Sequence, residues 1–274
     1  MKLLEGIIKN KVFTFLKKLM PQALVKKVLI DVEQLFSCQL SRFDTTSLID
    51  QRSLFEKMQQ LLQKDQSAYL AAARRCAKLV SLQRYLSDDR LLEAVKQLGI
   101  ELPTIVTEPI VHINSDKLTI KGGYAGFNTH QDWTSIQGSL DCVVVWAPLV
   151  KIDKINFPLQ IIAGSHKHGM YDGKITENVF EIDPKLYRVE DYQSVEVEPG
   201  DIVVMSSWTL HRTGVENCHG FRLACSSRFD NARETTFIDR GYPCAYQRSV
   251  HRELITENFP EKNQIADLFN DLIH

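Results

Sequence analysis

Cysteine pairs at metal-binding spacing are missing from this chain. Its six cysteines, Cys38, Cys76, Cys142, Cys218, Cys225 and Cys244, stand apart, with no Cys-x-x-Cys among them. That excludes the usual thiolate zinc spacings and a dense disulfide framework, and suits reduced thiols in a cytosolic protein. No apolar run reaches the roughly 18 residues that a membrane span requires. A surplus of one charge is missing too. With 33 basic and 34 acidic side chains the net charge is −1, so no global field gathers nucleic acid. Internal repeats and low-complexity tracts are absent, which excludes solenoids and disordered arrays. Strands do not alternate with long helices, so a parallel α/β sheet is not expected.

What is present is an apolar fraction of 44% in 274 residues, enough for one sizeable core. Residues 1–30 carry Lys2, Lys9, Lys11, Lys17, Lys18, Lys26 and Lys27 against Glu5 alone. Leu3, Leu4, Ile7, Ile8, Val12, Leu16, Leu19 and Met20 recur at three- and four-residue steps. This spacing predicts a basic amphipathic helix ending at Pro21. Such a helix suits either an anionic membrane surface, touched through residues 1–20, or packing on the domain with its lysines in water. Lys9, Lys11, Lys17 and Lys18 interrupt the stretch where a signal-peptide h-region would lie.

Residues 48–98 read as helices. Leu54, Phe55, Met58, Leu61 and Leu62 form one apolar stripe, and Tyr69 to Ala73 opens another helix. Ser87-Asp88-Asp89 predicts an N-terminal cap for a helix over Leu91 to Leu98, with Gly99 at its C′ position. After Pro103 the texture changes. Thr104 to Asn114, Leu140 to Leu149, Leu159 to Ala163, Ser194 to Val197, Ile202 to Met205 and Phe221 to Phe229 are strand candidates. Gly122-Gly123, Ala163-Gly164-Ser165 and Pro199-Gly200-Asp201 punctuate them as turns. Residues 251–274 read as helix. The expected organisation is a single domain. A helical region, 1–103, packs on a β-rich core, 104–235, followed by a lid loop and helix, 236–274.

Within the core, His130-Gln131-Asp132 places two metal-capable side chains two residues apart. On an extended segment both would point the same way. His211, in Leu210-His211-Arg212-Thr213-Gly214, supplies a third. Two histidines and one carboxylate are the ligand set of the facial triad, which leaves three iron positions open for oxygen chemistry. Arg222, eleven residues after His211, opens the next strand candidate. If the two strands are hairpin partners, its guanidinium addresses the same pocket and suits bidentate capture of a carboxylate.

The ordered set of His130-Gln131-Asp132-Trp133, Val145-Trp146-Ala147-Pro148-Leu149, Ala163-Gly164-Ser165-His166-Lys167, Pro199-Gly200-Asp201, Leu210 to Gly214 and Arg222 resembles the phytanoyl-CoA dioxygenase-like family. The members of that family are iron(II)/2-oxoglutarate oxygenases. The resemblance covers roughly residues 105–230. It implies a mainly β, α+β architecture: a double-stranded β-helix core of jelly-roll or cupin type with flanking helices. It further implies Fe(II) on His130, Asp132 and His211, and 2-oxoglutarate held at its distal carboxylate by Arg222. Gln131 and Trp146 match positions that line the cosubstrate pocket. Ala224 stands where related oxygenases often place a serine, so Thr213 or Ser226 would substitute for it. Retention of Asp132, which halogenases of this group replace, implies hydroxylation with O2, releasing succinate and CO2. The expected substrate is a small or lipid- or glycan-linked molecule, not nucleic acid.

Two other readings stay open at this point: a non-catalytic β-helix binding protein, and a cupin-type metal enzyme that does not use 2-oxoglutarate. Further candidates near the site are His112, Tyr124, Phe127, Asn128, Trp133, His166 and His168. The stretch Gly241 to Arg248, with Arg252 beyond it, reads as a lid segment.

Overall fold

The computed structural model describes residues 13–43, 52–120, 126–175 and 180–245. The expected C-terminal helix, Tyr124, Arg248 and Arg252 lie outside the described residues, as do residues 1–12.

The first described element corrects the sequence reading. Phe13–Leu16 is a strand, β1, not part of a helix, and it pairs antiparallel with Ile202–Ser206 (β9). Its four residues offer β-favouring aromatics to an open sheet edge, and tertiary pairing overrides the local helical spacing. Pro21 starts a helix instead of ending one. It is the N-cap of α1, Gln22–Leu40, where its missing N–H needs no partner. The amphipathic-helix basis for membrane contact is therefore gone at residues 13–16. Among the described residues no helix is long and apolar enough to cross a membrane.

The helical layer follows as α2 (Leu54–Lys64), α3 (Gln66–Cys76), α4 (Val80–Leu86) and α5 (Asp89–Gln97). A capping box at Ser53 and Glu56 starts α2, and Asp88 caps α5 by accepting from the backbone of Arg90. Val25, Val28, Val32, Phe36 and Leu40 form the buried stripe of α1. They pack with Met58, Leu61, Tyr69 and Leu91 against the sheet.

The strands are β2 (Pro103–Ile105), β3 (Ile110–Ser115), β4 (Val143–Pro148), β5 (Leu159–Ile162), β6 (Gly173–Ile175), β7 (Phe180–Ile182), β8 (Tyr192–Val195), β9, β10 (His211–Thr213) and β11 (Phe221–Asn231). Two short helices, α6 (Trp133–Ile136) and α7 (Thr235–Asp239), complete the elements used below. The larger sheet runs β1-β9-β4-β11-β2, with β3 also on β11; the smaller runs β10-β5-β8, and β6 pairs with β7. Every named pair is antiparallel.

Strand alternation builds two cores. On β4 and β11 the odd positions Val143, Val145, Ala147, Leu223, Cys225 and Phe229 face the helices. The even positions Val144, Trp146 and Ala224 face the smaller sheet, meeting Leu159, Ile161 and Val195. A sheet covered on both faces explains why Leu140 to Leu149 reads as nearly continuous apolar sequence.

Candidate metal and cosubstrate site

The two histidines meet through the backbone. His130 and His211 form an isolated antiparallel bridge, exchanging N–H···O bonds of 3.1 and 3.2 Å. Residues directly opposite across such a pair project to one face. Their rings lie 4.2 Å apart between centroids. Asp132 arrives differently from the extended-segment expectation. Its backbone is helical and it is the N-cap of α6, so a turn, not strand alternation, brings its carboxylate beside His130.

The three side chains bury together, each 6–7% exposed. Asp132 Oδ1 lies 3.9 Å from His130 Nε2, and Oδ2 lies 3.8 Å from His211 Nε2. One ligand atom from each residue falls within 4.8 Å of the others. The tautomers follow from the partners. His130 Nδ1 lies 2.7 Å from the Asn128 carbonyl, and His211 Nδ1 lies 3.0 Å from the Thr209 carbonyl. A carbonyl only accepts, so both Nδ1 atoms carry the proton. Both Nε2 lone pairs are therefore free and turned toward Asp132. This second-sphere arrangement orients a metal-binding imidazole.

Electrostatics favour the ligand forms. Burial first, and then the neighbouring His211, push the His130 pKa down to about 3, so the ring stays neutral. Burial likewise lowers His211. Burial alone would raise the Asp132 carboxyl, but the Arg228 guanidinium, with His211 and His130, reverses this and holds it below the usual carboxylate range. Two neutral imidazoles and one buried carboxylate are a donor set that fits Fe(II).

Arg222 sits on β11, 2% exposed, and its guanidinium is oriented on three sides. It donates to Asn114 Oδ1 at 2.9 Å, to the Phe157 carbonyl at 2.6 Å and to Thr213 Oγ1 at 3.2 Å. The hairpin expectation is not met: β10 pairs with β5, whereas β11 pairs with β2, β3 and β4. His211 and Arg222 instead approach one cavity from opposing sheets. That cavity is also lined by His112, Phe127, His130, Trp146, Leu159, Thr213, Ser226 and Arg228.

The structure sorts the sequence candidates. Trp146 and Thr213 line the cavity with Arg222. Gln131 does not line it. Its amide donates to the carbonyls of Gly169 and Trp208 and accepts from the Tyr171 N–H, tying three loops together below the triad. His112 is buried and its Nε2 lies 3.0 Å from Ser226 Oγ. The Phe127 ring stands 5.3 Å from that of His130. Trp133 stacks on Trp208 at 4.4 Å, outside the cavity lining. His166 and His168 lie on a 3-10 turn away from the lining.

Arg228 was missed. Its signal was available: polar Arg222, Ser226, Arg228 and Asp230 alternate with apolar Leu223, Cys225 and Phe229, marking one polar face on one strand.

A protein-family model described as phytanoyl-CoA dioxygenase matches residues 13–224. A curated relative from Caenorhabditis elegans, named a probable phytanoyl-CoA dioxygenase, is 27% identical over 92 residues, 31% of this chain. That match spans 30% of the relative's own length. Among solved structures, the epimerase SnoN in complex with Fe3+, alpha ketoglutarate and nogalamycin RO superposes with a TM-score of 0.57 at 14% identity, covering 84% of this chain and 83% of that one. The non-heme monooxygenase ThoJ in its apo form gives 0.56 at 16% identity, with 84% and 78% covered. EctD from S. alaskensis with 2-oxoglutarate and 5-hydroxyectoine gives 0.54 at 12% identity, with 84% and 76% covered. At such identities the likeness is one of fold, and the fold is the double-stranded β-helix.

Proposed function

The chain belongs to the phytanoyl-CoA dioxygenase family, and on that premise we propose that it is an Fe(II)- and 2-oxoglutarate-dependent dioxygenase that hydroxylates a C–H bond of a small organic substrate. The observation that carries this reading is the clustering of two oriented Nε2 lone pairs with a buried carboxylate, the two histidines lining the cavity that also holds the Arg222 guanidinium.

In this reading His130, Asp132 and His211 hold the metal and leave half of its positions open. Iron(II) together with 2-oxoglutarate supplies the activation of O2 and the oxidising equivalents for C–H hydroxylation, with succinate and CO2 as co-products. The protein's part is placement and exclusion of water. Arg222, fixed by Asn114, Phe157 and Thr213, presents a guanidinium in a buried site, where charge-assisted bonds to a carboxylate are strong.

 The apolar side chains of Trp146 and Leu159 line the same cavity and limit the water that competes for the guanidinium. Neutral His130 and His211 bring no proton to be displaced when a cation binds. Retention of the Asp132 carboxylate supports hydroxylation over halogenation.

The test is succinate formation. Purified protein with Fe(II), ascorbate, O2 and 2-oxoglutarate should release succinate, faster when the right member of a substrate panel is present. The His211→Ala variant should release none. Metal binding without succinate release across the panel would favour a cupin-type enzyme that does not use 2-oxoglutarate.

A further inference from the structure

Arg228 is a buried charge to which the foregoing reading gives no task. It lies beyond residue 224, where the family match stops. Strand alternation turns it to the same face of β11 as Arg222, and it is 4% exposed. Its Nη2 lies 3.1 Å from Oδ1 and 3.2 Å from Oδ2 of Asp132. Its Nη1 donates to Ser226 Oγ at 2.9 Å, and that oxygen lies 3.0 Å from His112 Nε2. The guanidinium is thus fixed from behind by a hydroxyl on its own strand. The Asp132 carboxylate is suspended between this guanidinium and the two imidazole Nε2 atoms, one facing each oxygen.

A buried ion pair is not a strong stabiliser in itself, because desolvation offsets much of the attraction. Its more definite effect here is on the geometry of Asp132. A free carboxylate can close on a cation with one oxygen or with both. Closing with both would occupy a position that a three-ligand site leaves to other groups. A guanidinium donor shared by the two oxygens already engages a lone pair on each, which would disfavour closure of both on one cation.

We propose that Arg228 is a positioning residue that holds Asp132 as a one-oxygen ligand, keeping open the metal positions that the dicarboxylate and O2 require. The inference rests on the Fe(II)/2-oxoglutarate reading above. It assigns the two inward arginines of β11 separate tasks: Arg222 receives the cosubstrate, and Arg228 shapes the ligand.

The experiment compares the full-length wild type with Arg228→Met, Arg228→Lys and Asp132→Ala, using Co(II) as the probe metal because its visible spectrum reports coordination. In Arg228→Met the Co(II) bands shift in position and intensity. The affinity of the Co(II) protein for 2-oxoglutarate, measured by calorimetry, falls by about 10- to 100-fold, the size of effect that outer-sphere partners have on metal affinity or activity. Arg228→Lys, which keeps a donor and the charge, recovers part of both. If Arg228→Met does not fold, Arg228→Gln, which keeps a neutral donor, is read in the same way. Spectrum and affinity within about twofold of wild type in a folded variant overturn the proposal. So does a change confined to the KM of the organic substrate, which would assign Arg228 to substrate instead. Asp132→Ala separates the two levels of inference. If it retains Co(II) binding, the metal-site reading fails; if it loses the metal while Arg228→Met behaves as wild type, only the role of Arg228 fails.

Discussion

Replacing Arg222 by methionine removes the charge while keeping much of the side-chain volume. Arg222 is 2% exposed, so solvent does not screen what it contacts. Truncating one partner of a buried, hydrogen-bonded charge pair costs about 2–5 kcal/mol. At about 1.4 kcal/mol per tenfold, 2-oxoglutarate affinity should fall roughly 30-fold at the low end and beyond 1,000-fold at the high end. The same change strips a donor from Asn114 Oδ1, the Phe157 carbonyl and Thr213 Oγ1. Each buried group left unsatisfied costs about 1–3 kcal/mol, so the variant should also melt earlier. Arg222→Lys separates the effects, because it keeps the charge but not the planar fork. The assay is anaerobic calorimetry of 2-oxoglutarate into Mn(II)-loaded protein, with Mn(II) affinity measured first. Metal affinity should stay near wild type in both variants. A folded Arg222→Met protein that binds 2-oxoglutarate within about threefold of wild type would refute the argument.

Two further outcomes follow from the same structure. Burial lowers the folded-state pKa of His130 to about 3 from an ordinary 6.5, and also depresses His112 and His211. Below the ordinary value the unfolded chain binds protons that the folded chain refuses. Stability of the metal-free protein is therefore intact above that value and is lost as pH falls toward the folded-state values. The loss is up to about 1.4 kcal/mol per pH unit for each histidine. Thermal melts of the metal-free protein between about pH 7.5 and pH 5 check this, and a flat profile would contradict it. A Cβ at Gly138 would fall 2.1 Å from Asp230 Oδ1, which accepts from the Ser139 backbone. Gly138→Ala should therefore destabilise the fold by about 1–3 kcal/mol, read as a lowered denaturation midpoint.

Much of the fold was legible because the larger sheet is covered on both faces. Val143 to Pro148 and Phe221 to Asn231 carry apolar residues where β4 and β11 meet the helices, and that run is visible without a structure. Capping chemistry was equally local: Asp88 and Gly99 bracket α5 as expected. The failures occurred where tertiary context decides. Phe13 to Leu16 has helical spacing but joins an open sheet edge, because pairing with β9 satisfies its backbone. Asp132 reaches the site through a turn that a two-residue spacing does not distinguish from a strand. The identity of the ligand residues survived that error, since the sequence names the residue types and the turn only delivers them. Gln131 was drawn into the cavity by its place between two ligand candidates, yet its amide is engaged by three backbone groups elsewhere. Arg228 was overlooked because only the alternation along all of β11, not a short motif, marks it.

The central claim is tested most directly by an anaerobic titration of Fe(II) and 2-oxoglutarate into the protein, followed by visible absorption. Chelation of Fe(II) by the 2-oxo acid in a protein site gives a charge-transfer band. The account predicts such a band in wild type, saturating at one iron per chain, absent in His211→Ala, and requiring far more 2-oxoglutarate in Arg222→Met. No band in wild type, or the same band in His211→Ala, would contradict it.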